Sequence, residues 1–480
     1  MTPIAWRRIL PPVVVLVVLL AVLSPLYGYE RDELYFRMLP PAWGYVDQPP
    51  LTPLLVHGIA AVVDTVWAIR IPAMLFAAAS VLVLVLITRE AGGGALAQAF
   101  AAWGAAFGTF TLVGGHSFLT STIDLLVWPV VLLGAIRAVR REDGRWWLLA
   151  GGVAGLDLSN KLLVAMLLAG IAVGLAVVGP RREFRSPWLW GGVALVLILG
   201  APDLVYQATH GLPQLRMGAA LGAKHGGSTR ILAVPYLALL MSPLVVPIWI
   251  AGLVALLRRP AWRPIRFVAV AFLVVVVLAA LAGAQIYYPY GVLTVVFALG
   301  CVPTADWAAT AARRRLVGIA LGVSAVVTSV IALPLLPLGV VGSTPVPTIN
   351  QAVADQVGWP QLVSTVDRVG DGAPPDAVVL TSNYGEAGAI VRYSRRFAHA
   401  VYSGHNALGE LRVPDQDPST VIVVGGQLPE LEPLFAACRT AARIDDGVGV
   451  DNEEQGEPVA VCTRPRMRLP ALVVAARHLG

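Results

Sequence analysis

The chain has 480 residues and a formal net charge of +6, but only 13% of its residues are charged while 57% are hydrophobic, and mean hydropathy is +0.73. Soluble domains carry about 25% charged residues, so the composition excludes an ordinary soluble protein and calls for lipid as solvent. Nor is the positive balance a nucleic-acid signature, because the arginines sit in short clusters between apolar runs, as they do in the cytoplasmic loops of membrane proteins.

In chain order, Arg7 and Arg8 precede an apolar run over 9–26. No small-x-small cleavage site follows it and further spans do, so it reads as a retained first helix rather than a signal peptide. Apolar runs near the length of about 20 residues that crosses a bilayer follow at 70–88, 95–113, 118–136, 146–159, 162–179, 187–207, 231–257, 267–284, 287–305 and 316–339. The spacing predicts a polytopic α-helical membrane protein of about eleven transmembrane helices. Arginine clusters at 7–8, 89, 137–145, 181–185, 258–266 and 313–315 recur after every second span. Placing all of them in the cytoplasm closes the topology: N-terminus inside, with 27–69, 114–117, 160–161, 208–230, 285–286 and everything after 340 outside.

The outer segment 27–69 is long and polar. It carries Glu30, Asp32, Glu33 and Asp47, the aromatics Tyr35, Phe36 and Trp43, and prolines at 40, 41, 49 and 50. Asp124 lies just inside the outer end of its span, Lys161 in the outer turn after GLDLSN, and Asp203 near the outer end of another span. Ionisable groups at such depths are costly and mark functional sites, and all converge on the face that bears the acidic loop. Each also has a structural alternative: Asp124 pairs internally, Lys161 snorkels, Asp203 is interfacial, and the loop acids merely keep it wet. Lys161 is one of two lysines beside 33 arginines. Its compact point charge suits a phosphate. Of the seven histidines, His57, His116, His210 and His225 fall on the outer side. A divalent-metal site with Asp47 or a neighbouring carboxylate is conceivable, with only weak support because no ligand spacing such as HExxH accompanies it.

From about 341 the chain is polar, and 341–480 is expected to form an extracytoplasmic α/β domain after the 1–340 transmembrane domain. Short β-rich runs at 377–381, 401–402, 420–424 and 458–462 alternate with helical patterns at 351–369, 386–393 and 430–438. Cys438 and Cys462 fall in this part, where an oxidising exterior permits a disulfide; Cys301 lies in an apolar span.

These motifs together resemble the GT-C superfamily of membrane glycosyltransferases, in particular the clan of protein O-mannosyltransferases and aminoarabinose transferases. The resemblance rests on Asp32-Glu33 in RDELYF, Asp47-Gln48-Pro49-Pro50-Leu51, Asp124, Lys161, the stretch Pro202 to Gly211, Tyr287-Tyr288-Pro289, NYGEAGAI at 383–390 and SGHN at 403–406. Gln48 stands where many relatives carry His, which weakens any metal site built on this loop. The resemblance implies a bacterial plasma-membrane enzyme of the cell envelope. Its donor would be a sugar on a polyprenyl phosphate drawn from membrane lipid, and its acceptor a hydroxyl on a glycan, lipid or protein, with no role for nucleic acid. It also implies Asp32 as base.

The chemistry agrees independently. Displacing a phosphate from an anomeric carbon needs a base for the acceptor proton and a cation for the growing phosphate charge, and no general acid. Asp32 with Glu33 supplies the catalytic carboxylates; Asp47, Asp124, Lys161, Tyr287, Tyr288 and His57 are the expected substrate-binding residues. A single displacement inverts the sugar. Two other classes compete. A flippase of a lipid-linked sugar predicts internal repeats and charges at the bilayer midplane, neither of which is visible. A non-catalytic scaffold predicts that the acidic loop can be neutralised harmlessly.

Overall fold

Long apolar runs fold as helices because every backbone N–H and C=O in lipid must find its partner within the segment. The structure, a computed structural model, describes residues 2–283, 285 and 287–480, without the side chains of 224, 225 and 228–234. His225, residues 284 and 286, and the side chains that open the 231–257 span lie outside the described residues. The chain divides into two compact units. One comprises residues 1–24, 48–52 and 70–333, the other 25–47, 53–69 and 334–480.

In the first unit, six helices have the length and hydropathy to cross a membrane: Trp6–Leu23, Val66–Glu90 (whose first turn belongs to the second unit), Thr120–Arg141, Pro187–Thr209, Tyr290–Trp307 and Ala311–Ala332. Two pairs bent by 55° and 98°, Ala95–Ala106 with Thr109–His116 and Pro235–Met241 with Pro243–Arg258, raise the number to as many as eight among the described residues. The remaining apolar runs are shorter as helices. Val164–Val177 and Phe267–Leu281 have 14 and 15 residues, about 21–23 Å at 1.5 Å per residue. Trp146–Asp157 is shorter still, at 12 residues, and these three short helices are the difference between the eleven apolar runs and the eight spans of full length.

Between apolar helices in lipid, close packing replaces the hydrophobic drive, and small residues permit it. Gly151 and Gly155 on Trp146–Asp157 face Gly192 and Leu195 on Pro187–Thr209; a Cβ at Gly151 would lie 2.1 Å from the Gly192 carbonyl oxygen. Gly170 and Gly174 admit Ala271 and Phe267 in the same way, and Gly252 and Gly300 bring Val246–Arg258 against Tyr290–Trp307.

The second unit contains a five-stranded mixed sheet. Its strands are β1 (Val378–Thr381), β2 (Val401–Ser403), β3 (Thr420–Val424), β4 (Phe435–Arg443) and β5 (Pro458–Pro465), in the spatial order β2-β1-β3-β5-β4. β1 pairs parallel with β2 and β3, whereas β5 runs antiparallel to β3 and β4. β1 and β3 are buried throughout, as parallel strands covered on both faces should be. Val378, Leu380, Val421 and Val423 share a core with Leu469, Leu472 and Val473 of the terminal helix Leu469–Ala475. The helix Trp359–Gly370 packs on β3, β4 and β5. Residues 430–438, expected to be helical, instead give a short helix at Leu428–Leu431 and then β4. The alanines of FAACRTAAR favour helix locally, but pairing with β5 and the Cys438–Cys462 disulfide, with its Cα atoms 4.1 Å apart, override that preference.

Gly151→Leu should wedge Trp146–Asp157 away from Pro187–Thr209 and cost about 1–3 kcal/mol. This will read as reduced folded yield and a lower melting temperature in detergent. Gly152→Ala, which meets nothing within 4 Å, should be neutral; equal behaviour of the two variants would contradict the packing account.

Candidate functional site

The acidic loop is a folded element. Helix Arg31–Met38 begins with a reciprocal cap in which the Glu30 carboxylate accepts from the Asp32 N–H at 2.7 Å and the Glu33 carboxylate accepts from the Glu30 N–H at 2.9 Å. Glu30 and Glu33 are buried and bound to this backbone, whereas Asp32 keeps partial exposure. Glu33 thus holds the loop, and Asp32 is the carboxylate left accessible.

Within the same unit, this helix lies against Tyr384–Tyr393. Gly388 lets Leu34 approach so closely that a Cβ there would sit 2.8 Å from the Leu34 Cβ, and at Gly385 one would meet the Trp359 ring at 2.8 Å. Trp359 Nε1 in turn donates to the Tyr29 carbonyl at 3.1 Å. Asn383 and Glu386 form a second reciprocal cap at the start of this helix. NYGEAGAI is therefore a docking surface: Asn383 and Glu386 set where the helix begins, and the two glycines thin its face.

Aromatic side chains join the two elements. The Tyr384 hydroxyl donates to Asp32 Oδ1 at 2.8 Å and that of Tyr35 to Asp47 Oδ2 at 2.9 Å; the two rings stack at 4.5 Å. The Ala407 N–H, just past SGHN, donates to the Tyr35 oxygen at 3.1 Å. The stack continues through His405, 4.8 Å from Tyr384, to His478, 4.3 Å further. His57 contacts the Arg37 carbonyl through Nδ1 at 3.2 Å, and Arg37 pairs with Asp64. His57 thus braces the loop helix. Among the described residues, no group of three or more His, Cys, Asp or Glu is placed to hold a metal.

Beside the loop, Arg31 meets two buried carboxylates, Asp355 and Glu454, and the exposed Glu453. Arg31 reaches Glu453 at 2.8 Å, Glu454 at 3.9 Å and Asp355 at 4.0 Å. One guanidinium does not offset so many acids. Burial pushes Asp355 up to about 8 despite Arg31, and Glu30, Glu386 and Glu454 are raised by the same cause. Burial likewise lifts Asp47 to about 7, against the hydrogen bond from Tyr35.

The first unit holds the other expected residues. Asn160 is the hub: its Nδ2 donates to the Thr120 carbonyl at 3.0 Å, to Asp157 at 3.1 Å and to Asp124 at 3.4 Å, and its Oδ1 accepts from Thr52 at 2.7 Å. Lys161 Nζ lies 5.2 Å and 5.0 Å from the ring centres of Tyr287 and Tyr288, a cation–π seat. A cleft beside them is lined by Asp124, Trp128, Tyr287, Tyr288, Phe110 and Leu163, among others. Asp203 stays apart, taking a 3.4 Å bond from Gln207 one turn along its own helix. His116 meets the fully buried Arg70 at 3.1 Å. His210 stacks on Tyr206 at 4.0 Å.

Asp157, Asn160, Arg70, Tyr35 and Tyr384 were not among the expected site residues. GLDLSN already placed Asp157 one turn before Lys161 and Asn160 immediately before it, and Tyr384 stands inside NYGEAGAI. No sequence pattern marked Arg70 as different from an interfacial arginine.

The pH dependence of stability follows from Asp47 and Asp355. Unfolded, both ionise near pH 4; folded, they hold their protons to about 7 and about 8. The stabilisation is complete at acid pH and is lost as pH climbs through that window. Protein in lipid nanodiscs should melt a few degrees higher at pH 6 than at pH 8.5, and Asp355→Asn should flatten the profile. Stability that rises toward pH 8.5 would contradict this.

Residues 47–206 match the family model described as dolichyl-phosphate-mannose-protein mannosyltransferase. No curated protein sequence matches. Among solved structures, the chain is similar to ArnT from Cupriavidus metallidurans bound to undecaprenyl phosphate, with 14% identity and a TM-score of 0.62, covering 94% of this chain and 97% of that one. It is also similar to the apo state of the same protein, with 14% identity and a TM-score of 0.60 over 98% of both chains. The likeness to the GT-C superfamily of membrane glycosyltransferases thus stands on two findings, a family match across the early spans and a shared fold over nearly the whole chain.

Proposed function

We propose that this protein transfers a sugar from a polyprenyl-phosphate donor to an acceptor hydroxyl at the outer membrane face, with inversion at the anomeric carbon. The observation that carries the reading is Asp32, the accessible carboxylate on a capped helix whose neighbouring acids are buried and bound to backbone. Asp32 takes the acceptor proton as the hydroxyl oxygen attacks C1. The bond from C1 to the phosphate oxygen breaks, and polyprenyl phosphate leaves with the electron pair. Lys161 is the cation for that phosphate. The aromatic cleft with Tyr287 and Tyr288 takes the first prenyl units, and Asp124 with Asn160 keeps the lysine turn in place. Asp47 and His57 bind or frame the acceptor side. Undecaprenyl phosphate in the ArnT structure supports the choice of lipid carrier. The fold leaves the identity of the sugar open to hexose and pentose alike.

The test is protein in lipid nanodiscs, a panel of undecaprenyl-phosphate hexoses, pentoses and aminopentoses, and an envelope extract as acceptor, with product analysis. Turnover with no member of the panel would overturn the reading. Asp32→Asn should lower kcat by about 10²–10⁴-fold while insertion and melting stay near those of the parent; full activity removes the base. Lys161→Ala should raise the donor KM about 10- to 100-fold, the worth of one charge-assisted contact. An unchanged KM would leave Lys161 with only its seat against the rings of Tyr287 and Tyr288.

A further inference from the structure

We propose that Tyr384 is a positioning residue for Asp32: a hydroxyl supplied from the C-terminal segment that fixes the plane of the base's carboxylate. The proposal rests on the assignment of Asp32 as base and adds to it a residue 352 positions away in sequence.

Three observations support it. The bond is direct, with the Tyr384 hydroxyl donating to Asp32 Oδ1 at 2.8 Å. The ring is immobilised: Tyr35 stacks on it at 4.5 Å, His405 lies at 4.8 Å, and the Arg31 guanidinium sits 5.1 Å from its centre. Its backbone is fixed too, since Tyr384 is the first residue after the Asn383 cap and its N–H donates to His405 Nδ1 at 3.3 Å. A tyrosine serving only to pack would need the ring and not the hydroxyl. Here the hydroxyl is aimed at the accessible carboxylate of the loop.

The charged and titratable groups facing this pair come from every neighbouring element. Glu30, Arg31 and Glu33 belong to the loop helix, and Glu386 lies on the Tyr384 helix. Asp355, Glu454 and His405 come from the remainder of the unit, and Asp47 acts through Tyr35. Against this largely acidic surrounding, which favours protonation of a carboxyl, an O–H donor favours the ionised form that a base requires.

The experiment compares kcat/KM against pH for the parent and Tyr384→Phe, which keeps the ring and deletes one hydroxyl, using the undecaprenyl-phosphate sugar that turns over in the parent. The acid limb should move up by about one pH unit and kcat should fall about tenfold, the scale of one hydrogen bond to a charged group, with donor KM unchanged. A limb that stays in place, whatever happens to kcat or melting temperature, overturns the proposal. If Tyr384→Phe fails to fold or turn over, 3-fluorotyrosine at 384, a more acidic donor, should move the limb down instead; an unmoved limb there also overturns it. Full activity in Asp32→Asn would sink the base assignment itself. An inactive Asp32→Asn with an unshifted Tyr384→Phe limb would sink Tyr384 alone.

Discussion

The close approach of helix Arg31–Met38 to helix Tyr384–Tyr393 is the constraint on which the rest of the second unit depends. Gly388 removes the side chain that would hold these helices apart, so that Leu34 fills the space, while Gly385 makes room for Trp359 of the helix Trp359–Gly370. Only at that separation can the Tyr384 hydroxyl reach Asp32 and the Tyr35 ring stack on Tyr384. Packing geometry, rather than charge attraction, brings the loop carboxylates to their places, since the acids around Arg31 outnumber it and burial favours their protonated forms.

The first unit solves a different problem, that of stabilising carboxylates where water is scarce. Asn160 does this by donating to both Asp124 and Asp157 while its own oxygen is satisfied by Thr52. An amide can supply donors and an acceptor at once; Asn160 bonds one oxygen of each carboxylate and leaves Asp157 Oδ2 without a hydrogen-bond partner among the described residues. The lysine that follows in sequence is then carried on a turn whose conformation the network fixes.

Much of this was legible in the sequence. Span positions follow from hydropathy, and four of the five strands coincide with β-rich runs. β4 was not legible, because FAACRTAAR has the local preferences of a helix and becomes a strand only through pairing with β5 and the disulfide. The broken helices at Ala106–Thr109 and Met241–Pro243 stay hidden from a hydropathy window, which averages across the break. The resemblance already named Asp32 as the base, but that the Glu33 carboxylate is taken up by the Glu30 N–H could be seen only in the folded cap. Tyr384 was quoted within a motif without a role, since nothing in a linear sequence brings residue 384 to residue 32.

The long separation between Asp32 and Tyr384 also has a consequence in time. Contacts between the two ends of a chain form last, because the loop between them must be closed first, and during synthesis the beginning of a polypeptide waits for its end. The segment around Asp32 is made early but meets its packing partner only once the helix Tyr384–Tyr393 has been produced. A chain cut before residue 384 therefore carries the acidic loop without the helix against which it packs.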